Sequence, residues 1–155
     1  MPITPLHFGL GALCHASAPR RVNFWSFCLG NVLIDIEPLY YLLRSEFPLH
    51  RFWHTLGGAS LILFATLALW LRFGHHLRQR PRPRLGDDVS LGLILGLYSH
   101  LLLDSLMHPD LHPFAPLSPA NPLLNLVNPD TLTGLCLLCA LIAVVILYRR
   151  GVIEL

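Results

Sequence analysis

The sequence predicts an all-α integral membrane helical bundle of about four to five helices, with a Pro-rich extracytoplasmic loop at one end. Three observations lead there. Of 155 residues, 54% are hydrophobic and only 13% are charged, whereas a soluble domain carries about 25% charged residues. Mean hydropathy is +0.56. Two stretches without any charge, Thr55 to Leu71 and Leu132 to Tyr148, approach the roughly 20 residues that span a bilayer at about 1.5 Å per residue. The length allows a single domain, residues 1–155. All 11 basic residues are Arg, they lie in clusters, and the net charge is only +2, so no nucleic-acid partner is expected.

The first apolar stretch, Pro5 to Ala18, contains Gly9 and Gly11. A signal peptide carries its positive charge before the apolar region; here Arg20 and Arg21 follow it. It reads as a short helix with an outward N-terminus, either spanning or re-entrant. Val22 to Leu43 is apolar except for Asp35 and Glu37, and Thr55 to Leu71 forms the third helix. The fourth, Val89 to Leu103, extends to about Met107 if Asp104 is tolerated, and Leu132 to Tyr148 is the fifth.

Arginine placement sets the orientation. Arg20 and Arg21, the run Arg72, Arg78, Arg80, Arg82 and Arg84, and the final Arg149 and Arg150 all fall on one side of a five-helix chain. The positive-inside rule makes that side cytoplasmic. Pro81 and Pro83 are expected to stop the third helix. The outward connections are a short one around Ser45 to Pro48 and a long one from about Pro109 to Pro129, too rich in proline to be helical throughout. The protein is therefore expected in a cytoplasmic (inner) membrane, multi-pass.

Against that apolar background, a few polar residues stand out. An Asp near a helix centre costs about 2.5–3.5 kcal/mol on insertion scales, yet Asp35, Glu37 and Asp104 sit within apolar runs, with His100 beside them. A metal ion offsets such a cost by neutralising carboxylates and accepting imidazoles. His100 and Asp104 are four apart, and His108 four further on, so one helical stripe would carry all three. His50 and His54 repeat the spacing at the entry to the third helix, a usual helical way to chelate zinc. Under the predicted topology Asp35, His50, His54, Asp104, His108 and His7 fall at similar depth near the outside, while His15, His75 and His76 fall on the other side. Asp35 and Glu37 are only two apart and diverge on an unbroken helix. Pro38 disfavours helical geometry at Glu37, so either a kink brings both carboxylates to one site, or Asp35 alone ligates and Glu37 is an outer-shell group or proton carrier.

Cys136 and Cys139 form a CxxC within the most apolar helix, with no second pair or nearby His to make a zinc site. They read as small apolar residues. Cys14 and Cys28 fall toward the cytoplasm, where disulfides are disfavoured. Trp25, Trp53, Trp70, Tyr40 and Tyr41 read as interfacial or packing residues.

At these positions the chain resembles the YdjM-like family, described as membrane-bound metal-dependent hydrolases. The resemblance rests on Thr4-Pro5-Leu6-His7-Phe8-Gly9, Ile34-Asp35-Ile36-Glu37, His50-Arg51-Phe52-Trp53-His54-Thr55 and Ser99-His100-Leu101-Leu102-Leu103-Asp104, in the family's order across residues 4–108. The family usually shows Pro-Asp-x-Asp and a Ser where Thr55 stands; Ile34, Glu37 and Thr55 depart from it. More distantly, the arrangement looks like the all-helical zinc phospholipase C and P1 nuclease group, which hydrolyses phosphoesters and in which the N-terminal amine, here on the chain that continues through Pro2, can bind zinc.

The resemblance implies a phosphoesterase holding two or three divalent ions, with zinc as the default and manganese or iron also suited to such ligands. Asp35, His54, His100 and Asp104 form one ligand set, Asp104 bridging; His7, His50 and His108 complete the others, with His112 an outside candidate. Such ions lower the pKa of bound water from 15.7 to about 7. Glu37 is the expected proton acceptor if it is not a ligand. Arg51 either holds a phosphate through its bidentate fork or simply snorkels at the outer face. The depth of the site points to a phospholipid or lipid-linked phosphate substrate in contact with the bilayer. The alternative is an ion-transport or metal-handling protein using the same His/Asp cluster; polar residues thin out toward the cytoplasm, which favours the hydrolase. A third reading takes the cluster as polar glue between helices.

Overall fold

A computed structural model describes residues 4–78 and 86–152, the side chains of Thr4 and of residues 75–78 excepted. The expected Arg80, Arg82 and Arg84 run, with Pro81 and Pro83, the Pro2 terminus and the side chains of His75 and His76 lie outside the described residues. Among those described, the chain is all-helical: α1 Thr4–Ser17, α2 Phe24–Leu43, α3 Leu56–Arg78, α4 Asp88–Ser105 and α5 Pro129–Arg149, with one 3-10 turn, Phe52–His54, leading into α3.

Local chemistry fixes the ends. Asn23 caps α2 by accepting the Ser26 N–H, Asp87 caps α4 by accepting that of Ser90, and Asn128 caps α5 ahead of Pro129 in the first turn. The α3 helix continues beyond Leu71 to Arg78, because charged Arg72 sits well in an α-helix and does not end one. Of the two alternatives at Pro38, a break does not occur: α2 stays helical through it to Leu43.

The α4 helix lies at the centre. It runs along α2 and also touches α1 and α3, while α1 lies along α5. The α2–α4 approach depends on missing side chains: a Cβ on Gly92 would collide with Ser26 and one on Gly96 with the Phe27 carbonyl, while one on Gly30 would stand 3.0 Å from Leu93 O. Small residues let backbones close in this way. Below the site lies an apolar core that includes Ile34, Leu63, Leu67, Leu93, Leu97 and Leu101.

Three helices, Phe24–Leu43, Leu56–Gly74 and Pro129–Arg149, are long and apolar enough to cross a membrane, yet bury only 28%, 22% and 17% of those windows within the molecule. On α2, Trp25, Leu29, Val32, Ile36, Leu39 and Leu43 form an exposed apolar stripe at helical spacing. The 14 residues of α1 span about 21 Å, short of the roughly 30 Å hydrocarbon layer. Between α4 and α5, residues 106–128 run as turns and irregular chain.

Candidate metal centre

The helices alternate in direction, so one end of the bundle gathers the start of α1, the second half of α2, the entry to α3 and the end of α4. His7, Asp35, His54, His100 and Asp104 come together there. His7, His54, His100 and Asp104 are 4% exposed or less.

Asp104 is the hub. Its Oδ2 lies 3.0 Å from His100 Nε2, 3.6 Å from His54 Nε2 and 3.9 Å from His50 Nε2. Its Oδ1 lies 3.7 Å from His7 Nε2 and 3.9 Å from His108 Nε2. Asp35 Oδ1 closes the set at 3.1 Å from His100 Nε2 and 3.7 Å from His54 Nε2. Donors held about 2.0–2.1 Å from one tetrahedral zinc stand about 3.3 Å apart, within the 3.0–3.7 Å range of the four carboxylate–imidazole separations among Asp35, His54, His100 and Asp104.

Hydrogen bonding accounts for the arrangement only in part, and the short approaches of His100 Nε2 to Asp104 and Asp35 are charge contacts that lack hydrogen-bond geometry. His7 Nε2, His100 Nε2 and both nitrogens of His54 are buried without a hydrogen-bond partner. Buried polar atoms are nearly always satisfied, and four orphans in one cluster call for a ligand. Asp35, His54, His100 and Asp104 each offer a donor atom within 4.8 Å of the others, the arrangement of a cation site. His50, His108 and Asp110 make a second such group. The residues present therefore fit a divalent cation.

The His100–Asp104 pair is the helical i, i+4 device that the spacing predicts. The stripe reaches His108 although α4 ends at Ser105, since the His108 N–H bonds Asp104 O at 2.9 Å. His50 and His54 meet differently. They lie on irregular chain and a 3-10 turn, not on α3, and their rings pack edge to face at 4.8 Å.

Glu37 and Asp35 diverge on the unbroken α2. Glu37 Oε2 accepts the Trp53 N–H at 2.8 Å, so it clamps the turn that carries His54 and stands outside the ligand cluster. Arg51 also points elsewhere: its guanidinium stacks 3.5 Å from the Tyr41 ring centroid, Nε donates to Pro48 O at 2.9 Å, and one terminal nitrogen is 3.9 Å from Glu46. His112 is exposed, so the structure does not bring it into the cluster. His15 lies at the far end of α1, its Nδ1 2.7 Å from Val22 O. The four cysteines are free.

Two further side chains at the site are not predicted by spacing. Asp110 accepts the backbone N–H groups of Leu49 and His50 and lies 3.1 Å from His50 Nδ1. That imidazole pulls the Asp110 carboxyl below its usual range, although partial burial acts the other way. Asn31, fully buried, places Oδ1 3.1 Å from His100 Nδ1. Its signal was present: Asn31 is four residues before Asp35, on the same face of α2. Asp110 gave none, because only the fold of the loop brings it to His50.

An open cavity of about 570 Å³ reaches His50, His108 and Asp110 between walls of Phe47, Pro48 and Leu49. Comparison with known proteins gives no match to a family model, a curated protein or a solved structure.

Proposed function

We propose that the protein is an integral-membrane metal-dependent hydrolase that cleaves a phosphoester of a lipid or lipid-linked substrate. The observation that carries this reading is the convergence of five imidazole Nε2 atoms on the two oxygens of Asp104, with Asp35 alongside and orphaned nitrogens among them. Polar glue would satisfy both nitrogens of His54, which are buried without a hydrogen-bond partner. Asp104, Asp35, His54 and His100 would hold one cation, and the placement of His50 and His108 suits a second.

A divalent cation there supplies Lewis acidity toward a phosphoryl oxygen and acidifies water. The protein's own part is orientation. Asp110 holds His50, Asn31 holds His100, and Glu37 holds the turn of His54. The cavity joins apolar walls to this polar floor, which suits an amphipathic phosphoester. The long apolar faces of α2, α3 and α5 suit a bilayer. Arg20, Arg21, Arg72, Arg149 and Arg150 stand at the end away from the cluster, against Arg44 and Arg51 beside it, which by the positive-inside rule favours an extracytoplasmic site in a bacterial cytoplasmic membrane. The resemblance to YdjM-like hydrolases rests on residues that gather at this same end.

A transport path would need polar residues through to the other face. Below Asn31 the interior is instead filled by Phe27, Leu93 and Leu97, which favours hydrolysis over transport. The test combines metal analysis of detergent-purified protein with incubation against a panel of bacterial lipid phosphates. Stoichiometric metal with released phosphate or headgroup is expected. Metal without turnover, with cation flux in vesicles, would favour the transport reading.

A further inference from the structure

His7 lies beside the cation ligands, but the hydrogen-bond chain behind it defines a different role. The chain starts at Phe27, whose carbonyl oxygen can only accept. The Asn31 amide must therefore turn its Nδ2 to Phe27 O, at 3.0 Å. Its Oδ1 then faces His100 Nδ1, at 3.1 Å. An acceptor opposite that nitrogen requires a proton on it, so His100 bears a proton at Nδ1, and its Nε2 is the nitrogen left to a cation. His7 Nδ1 lies 3.3 Å from the same His100 Nδ1. Two N–H groups cannot face each other at that distance, so His7 Nδ1 is bare and its single proton sits on Nε2.

An imidazole nitrogen that bears a proton has no lone pair for a cation. Yet His7 Nε2 is buried, lacks a hydrogen-bond partner and points toward Asp104 Oδ1 from 3.7 Å, too far for a hydrogen bond. A buried N–H of this kind needs an acceptor. We propose that His7 is not a metal ligand but a hydrogen-bond donor, its Nε2–H aimed at an oxygen of the anion that occupies the centre. A tetrahedral oxyanion such as phosphate has the acceptor the site lacks. This rests on the metal-centre reading and deepens it: the cations hold the anion from one side and a neutral imidazole from another, while Asn31, two imidazoles away, sets the tautomer.

The experiment uses full-length protein in detergent, loaded with zinc, in four forms: wild type, His7→Phe, His7→Gln and His100→Ala. Metal content, inorganic phosphate affinity and side-chain ¹⁵N spectra of histidine-labelled protein are measured. Both His7 variants should keep the wild-type metal content, while His100→Ala loses metal. Phosphate should bind about tenfold or more weakly to His7→Phe, as expected for loss of a hydrogen bond to a charged group, and recover in His7→Gln, whose amide can donate. The spectrum should show a protonated Nε2 and a bare Nδ1 for His7. Metal loss in a His7 variant that still elutes as folded protein, the opposite tautomer, wild type that fails to bind phosphate, or equal phosphate affinity in His7→Phe overturns the proposal and leaves the metal centre standing. Metal absent from wild type overturns both.

Discussion

His50 Nδ1 stands 3.1 Å from each carboxylate oxygen of Asp110, and that carboxylate also receives the N–H groups of Leu49 and His50. The loop after α4 thus fixes the imidazole from the loop after α2. With its proton committed to Asp110, His50 presents Nε2 to the Asp104 side. Such carboxylate–imidazole pairs typically contribute 10–100-fold to metal affinity. Asp110→Ala should therefore weaken zinc binding by about that factor while the helical content stays at the wild-type level, as read by chelator competition and circular dichroism.

Protonation should release the metal. Burial, reinforced by neighbouring His54 and His108, holds the His50 pKa below its ordinary 6.5. A lowered pKa keeps the neutral, ligating form of His50 present below pH 6.5, so zinc held through His50 should leave only on acidification below the ordinary histidine range, with protons taken up as it leaves. Zinc retention measured by dialysis across pH 7 to 4 checks the sign; release on raising the pH within the neutral range would contradict it.

Glu37 separates a positioning role from a chemical one. Its Oε2 accepts the Trp53 N–H, and an amide oxygen accepts as well as a carboxylate. Glu37→Gln should retain metal near the wild-type level. Glu37→Ala leaves a partly buried N–H without its acceptor, at a cost of about 1–3 kcal/mol, and loosens the turn of His54, so metal binding should weaken. If Glu37 instead takes a proton during turnover, Gln and Ala will be equally inactive.

The close contact of α2 and α4 gives a stability prediction. A Cβ at Gly96 meets the Phe27 backbone, whereas one at Gly134 meets nothing within 4 Å. Gly96→Ala should destabilise by about 1–3 kcal/mol through overpacking, and Gly134→Ala should be neutral or stabilising by up to about 1 kcal/mol from helix propensity. Thermal unfolding in detergent compares the two.

How much could be read from the sequence differs by element. The apolar stretches located all five helices within a few residues, because runs without charge mark their positions directly; only α3 ran well past its expected end, to Arg78. His100 and Asp104 were legible for the same reason, since i, i+4 spacing on a helix dictates proximity. His50 and His54 met despite the wrong premise of a helical pair. Their contact comes from a 3-10 turn clamped by Glu37 and a loop anchored by Asp110, which are tertiary contacts that spacing does not encode. For Arg51 the sequence left a phosphate fork and a snorkelling side chain open, because the contacts with Tyr41 and Glu46 that hold it arise only in the fold.

Asp35, His54, His100 and Asp104 are proposed to share one cation. Anomalous diffraction at the zinc edge from crystals of the purified protein tests this most directly. A peak is expected about 2.0–2.2 Å from a donor atom of each of those four residues, absent in Asp104→Ala. No peak in protein supplied with zinc, or a peak among other residues, would contradict it.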